Sequence, residues 1–135
     1  MDLLSALRNV VQVVPSGFLG VVALQIVEGY VEQRSGVIDV QHLREGHAAG
    51  WTFRDVFGMA DPQLQQILVT IARRAPGILD ELSFQTLLKW TGRGNPQLVS
   101  ALVRDQDLLA WAKQSWASSI ADFRRLALTP QEAGA

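Results

Sequence analysis

The phrase Asp61-Pro62-Gln63-Leu64 recurs as Asn95-Pro96-Gln97-Leu98, a shift of 34 positions (61 to 95). Each copy sets an Asx side chain before a proline, with an apolar residue two positions further on. An Asx oxygen accepts from an orphan amide of a first helical turn. Proline at the first helical position strands no amide and brings a preset φ. Two helix starts are therefore the best-determined points on the chain. The spacing matches a helical-hairpin repeat. Aligned on the prolines, Leu64 meets Leu98, Leu68 meets Leu102 and Val69 meets Val103, but Pro76-Gly77 then falls against Ala110-Trp111, which reads as mid-helix. Residues 1–60 hold no third copy, and solenoids want about three units. One capping recipe used twice is the simpler account.

The other elements follow from apolar periodicity and breakers. Leu3 to Val14 reads as a helix stopped by Pro15. Ser16 caps a second, from about Gly17 to Gln33, apolar on most sides as a central helix would be. Asp39 opens a short helix to about Gly46, and Thr52 with Asp55 has capping-box spacing. Pro62 to Ala75 and Ile78 to Trp90 follow, with Ser83 an alternative internal cap, and Gly92-Arg93-Gly94 reads as a mobile turn. Residues 96–127 as one helix would span roughly 48 Å, too long beside a radius of gyration of about 14 Å. A break at Asp105 or Asp107 is expected; an unbroken helix would need a partner over its stripe. The expectation is an all-α, compact irregular bundle of six or seven helices with no sheet, a single helical domain over residues 1–128 and a disordered tail at 129–135.

Composition excludes some classes of function. With no cysteine there are no disulfides or thiolate metal sites, the pattern of a reduced cytoplasm, so a cytoplasmic location is expected. A net charge of −1 creates no global field for nucleic acid or anionic lipid. Asn9 to Val27 is free of charge, but Pro15-Ser16-Gly17 divides it, and a spanning helix wants about 20 mostly apolar residues. No membrane partner is expected, and the acidic start Met1-Asp2-Leu3-Leu4 is unlike a signal peptide.

Three constellations bear on function. Asp39, His42 and Glu45 lie three apart on a helical stretch, and carboxylate with imidazole suits zinc, iron or manganese. His47 is turned about 500° from His42 and points elsewhere. Residues 53–75 resemble a helix-turn-helix: Phe57-Gly58-Met59 as the turn, then a helix offering Gln63 and Gln66 to bases and Arg73 and Arg74 to phosphates. Against this, Arg54 occupies the position four before Gly58, where close helix crossing wants a small residue. Finally, Trp90 and Trp111, near Arg93 and Arg104, are candidates for a protein contact, because tryptophan is favoured at binding hot spots. The Glu28 and Glu32 pair reads as the wet edge of the second helix, meeting an arginine. No phosphate-cradling loop or nucleophile motif is present, and no cofactor is expected. The leading reading is a non-enzymatic interaction or assembly module, self-associating through its C-terminal helices. A DNA-binding regulator is the alternative, and a metal-dependent enzyme the third.

Overall fold

A computed structural model describes residues 2–128, and among them nine helices and no strand. In chain order these are α1 (Leu3–Val13), α2 (Ser16–Ser35), α3 (Val40–Ala48), α4 (Phe53–Val56), α5 (Pro62–Arg74), α6 (Gly77–Glu81), α7 (Phe84–Gly94), α8 (Pro96–Arg104) and α9 (Gln106–Leu128). The chain is all-α. The count exceeds six or seven because two connections carry short helices of their own. The Thr52–Asp55 capping box holds the four-residue α4, and Ser83 ends the α6 segment by capping α7 through the Thr86 amide at 3.2 Å. The tail expected at residues 129–135 lies outside the described residues.

Both proline phrases start helices as expected. Asp61 accepts from the Gln63 amide at 2.7 Å, and Asn95 from the Leu98 amide at 3.1 Å. The C-terminal segment breaks at Asp105, whose extended backbone ends α8 and whose carboxylate accepts from Leu108 N at 3.1 Å. What remains, α9, is 23 residues, about 34 Å long. Ser16 does not cap α2. Pro15 takes the cap position without a side-chain bond, and the Ser16 hydroxyl accepts from Arg74 Nε at 3.0 Å instead.

The two long helices lie on opposite sides of a middle layer. Helix α2 packs on α1, α5, α6 and α7, whereas α9 packs on all the helices from α3 to α8. Helices α5, α6 and α7 touch both, and one continuous apolar cluster runs through the three layers. On α2 the buried positions are Leu19, Ala23, Val27, Val31 and Ser35, spaced by four. Each such step turns 400°, a drift of about 40°, so the buried ridge winds roughly 160° round the helix from Leu19 to Ser35. The first half faces one set of neighbours and the second half another. The apolar side chains spread round the helix for that reason, and α2 is not surrounded: Phe18 and Val21 remain 66% and 61% exposed.

The second half of α2 meets the end of α7 at unusually close range. Gly92-Arg93-Gly94 is the last turn of α7 rather than a loop. A Cβ on Gly94 would collide with the Glu32 carbonyl oxygen and the Ser35 hydroxyl. Ser35 is fully buried there and donates to the Glu32 carbonyl at 2.9 Å, reaching the Thr91 carbonyl at 3.3 Å. Asn95 closes the seam, its Nδ2 donating to the carbonyls of Ser35 and Ile38, both at 3.0 Å.

Two pairs of substitutions test this seam by urea unfolding. In a helix interior alanine is worth about 1 kcal/mol more than glycine, and Gly29 on α2 has open space around it. Gly29→Ala is expected to stabilise by about 0.5–1 kcal/mol. Gly94→Ala is expected to destabilise by about 1–3 kcal/mol, because overpacking against backbone outweighs propensity. Asp61→Asn is expected to be near neutral, since both residues cap well. Asn95→Asp keeps the cap but sets a carboxylate against two carbonyls, and is expected to lose about 1–3 kcal/mol.

Candidate functional site

The histidine region does not form a metal cluster. Asp39 Oδ1 is engaged as the cap of α3, accepting from the His42 amide at 2.7 Å. Glu45 accepts from Gln41 at 3.2 Å. His42 stands edge-on to Trp51 with ring centres 5.6 Å apart, and His47 stacks on Trp111 at 5.0 Å. Both histidines thus end on indoles, and among the described residues no three His, Asp or Glu side chains are grouped to hold a metal. Spacing showed that the two imidazoles diverge; it carried no signal that an indole would meet each of them.

The helix-turn-helix segment is tied into the bundle. Helix α4 has only four residues. Gly58, at φ +69°, makes the turn, and the Tyr30 hydroxyl donates to the Phe57 carbonyl at 2.6 Å. Arg54 donates to Gln65 at 3.2 Å and lies 5.2 Å over the Phe123 ring of α9. Gln63 accepts from Arg8 at 3.4 Å, while Gln66 is exposed. Arg73 donates to the Leu126 carbonyl at 3.0 Å. Arg74 donates to the carbonyls of Val11 and Val14 at 2.8 and 3.2 Å, satisfying the open end of α1. Both arginines expected to seek phosphate are spent on backbone oxygens.

The four contact candidates do not converge either. Trp90 is buried in the core, which corrects its reading as an exposed contact. Arg93 forks between Glu28 at 2.6 Å and Glu32 at 3.3 Å, so the wet edge of α2 meets its arginine from α7. Arg104 is exposed at the end of α8, beside Arg44. Trp111 is half-buried and donates to the Trp51 carbonyl at 2.8 Å. The long C-terminal stripe is absorbed: Leu108, Ala112, Trp116, Ser119 and Phe123 all face the core.

Large apolar side chains are exposed on α1 and α2 as well as singly at Val37, Trp51, Val103 and Leu128. Val13 at the end of α1 and Phe18 and Val21 in the first half of α2 are 66%, 66% and 61% exposed. Beside them a groove of about 520 Å³ runs between α2 and α6, its floor made by Gly17, Gly20, Leu24, Ala75 and Ile78. Gly17 and Gly77 have open space around them, whereas Gly20 is a close approach, where a Cβ would stand 3.3 Å from the Ala75 side chain. Along α2 the lining runs from Ser16 to Glu28, and Glu81 of α6 lines the groove as well. No described helix is long and apolar enough to cross a membrane. No protein-family model matches the chain, and no curated protein or solved structure matches it either.

Tyr30 offers a test of the α4–α5 corner. Burial pushes its phenol above the ordinary value of 10.0, with Arg34 opposing. A raised value means the neutral phenol is the form the fold favours. Its contribution is complete below pH 10.0 and is lost as pH rises through the folded value, where the donor to Phe57 disappears. Tyr30→Phe is expected to cost about 1 kcal/mol near neutrality. Urea titrations across the alkaline range should also show a flatter decline for the variant than for the parent.

Proposed function

We propose that this protein is a non-enzymatic interaction and assembly module that meets its partner through the charge-free face of α1 and α2. The observation that carries this is the exposure of Phe18 and Val21 on a long helix of the bundle. The outward side of α9 is the internal comparison. There the exposed positions include Lys113, Gln114, Ser118, Asp122 and Arg124, as a solvated helix requires. On α2 the exposed positions are Ser16, Gly17, Phe18, Val21, Gln25, Gly29 and Gln33, with no charged residue among them.

The charge-free window from Asn9 to Val27 supports the same reading. With no described helix long and apolar enough to cross a membrane, the window matches a surface that desolvates cheaply, as the cores of protein interfaces do by excluding charge. Burying a side chain such as Phe18 or Val21 contributes about 1.5–3 kcal/mol. The contact therefore moves from the C-terminal helices, whose stripe is consumed inside the fold, to the N-terminal corner.

A photo-activated cross-linker placed at position 21, in cells that naturally make the protein, tests this. A discrete higher-mass adduct is expected, and Phe18→Glu in the same chain should abolish it while changing stability by no more than about 0.5 kcal/mol. A cross-linker at position 114 should give none. No adduct from position 21, or equal adducts from both positions, would remove the basis of the proposal.

A further inference from the structure

We infer that the contact between His47 and Trp111 is an acid-tightened clasp, which binds α3 to α9 more firmly once the imidazole is protonated. The chain has two histidines, and both stand on α3. Histidine is the side chain whose charge ordinarily changes between about pH 5 and 8. All histidine titration of the molecule is therefore gathered at one joint, and that joint is lightly built. Of the nine residues of α3 only Leu43 and Gly46 are buried, and the helix packs mainly on α4 and α9. Ring contacts supply the rest. The Trp51 indole lies against Gly46, where a Cβ would stand 3.1 Å from the ring, and His42 meets that indole edge-on. His47 stacks on Trp111 with ring centres 5.0 Å apart and planes at 28°. Trp111 in turn donates to the Trp51 carbonyl at 2.8 Å, so the two indoles form one assembly.

Protonation strengthens the stack, because an imidazolium on an indole gains a cation–π attraction that the neutral ring lacks. His47 also lies in the last turn of α3, the end at which the helix dipole favours a cation. From α9 the Asp107 carboxylate lines the same cavity as His47 and Trp111. Arg44 of α3 and Arg104 of α8 line the neighbouring cavity, with Asp107 the only residue common to the two. The positive start of α9 carries Asp105 and Asp107, and Asp105 caps it through the Leu108 amide. On α4, Asp55 is engaged by the Thr52 amide, and Arg54 is turned to Gln65 and the Phe123 ring. Lys113 lines a different cavity, beside Trp116 and Arg124. On α3 itself Glu45 takes Gln41, and Asp39 caps the opposite end. The folded chain thus meets the imidazolium with contacts that an unfolded chain lacks. Stability from this source is present in acid and is lost as pH rises through the histidine range.

Urea unfolding at about pH 5.5 and about pH 7.5, either side of the ordinary value for histidine, tests the clasp. The folding constant of the parent is expected to be about two- to fivefold larger at the lower pH, the size of an exposed cation–π contact. His47→Gln should remove that difference, and His42→Gln should keep it. Trp111→Leu should remove it with His47 still in place, and Asp107→Asn should reduce it. Each variant is compared with itself at two pH values, so a general loss of stability does not mimic the result. Hydrogen exchange gives a local reading. After correction for the intrinsic dependence on pH, opening of the α3 amides should be about two- to fivefold rarer at the lower pH in the parent, and equal at both in His47→Gln. No difference in the parent, a larger folding constant at the higher pH, or a difference that survives His47→Gln overturns the clasp. A difference that disappears in His42→Gln instead overturns its assignment to the stack on Trp111.

Discussion

The approach of α7 to α2 at Gly94 is the contact on which the rest of the bundle depends. Helices α5, α6 and α7 separate α2 from α9, so the depth to which α7 settles fixes how far apart the two long helices stand. Any side chain at position 94 would sit where the Glu32 carbonyl and Ser35 hydroxyl already are. The polar side chains in the seam are all used: Ser35 toward Glu32 and Thr91, Thr91 toward Leu87 at 2.8 Å, and Asn95 toward Ser35 and Ile38. A buried seam of this kind tolerates little slippage, because shifting one helix orphans several groups at once, at about 1–3 kcal/mol for each.

On the opposite side α9 holds the irregular connections. Trp111 donates to the Trp51 carbonyl at 2.8 Å, Ser115 accepts from the Phe53 amide at 3.0 Å, and Trp116 donates to the Leu82 carbonyl at 2.9 Å. The Leu126 carbonyl takes the Arg73 guanidinium. Short helices such as α4 and α6 are marginal on propensity alone. Here their flanking backbone groups find partners on a single long helix, so the tryptophans of α9 serve as apolar bulk with one polar tip each.

Local chemistry was legible in the sequence, and tertiary reuse of the same residues was not. Asp39, Thr52, Asp61, Ser83 and Asn95 all cap helices as their spacing implies. The break at Asp105 followed from the excess length of the segment. Hidden from spacing was the second task of a residue: Asn95 also clamps the end of α2, and Arg74 closes α1 from 60 residues away. Gly92 and Gly94 look like a turn because glycine signals both flexibility and close approach, and only the identity of the neighbour separates the two. The candidate surface was half legible. The charge-free stretch stood out, but the drift of the buried ridge on α2 made its two halves indistinguishable until the neighbours were placed.

That drift also explains why an apolar face survives at the α1–α2 corner. A helix in a bundle needs only one stripe of apolar residues, and outward positions can be polar at no cost to the fold. On α2, Leu19 and Ala23 supply the inward stripe for the first half, and Val27 and Val31 for the second. Phe18 and Val21 lie outside both. Nothing in the intrachain packing calls for them, and their exposure raises the hazard of nonspecific association. Val21 lines the groove between α2 and α6, and Phe18 stands one turn before it on the same helix. Apolar residues that the fold does not use are the ground on which a contact outside the chain is proposed for this corner.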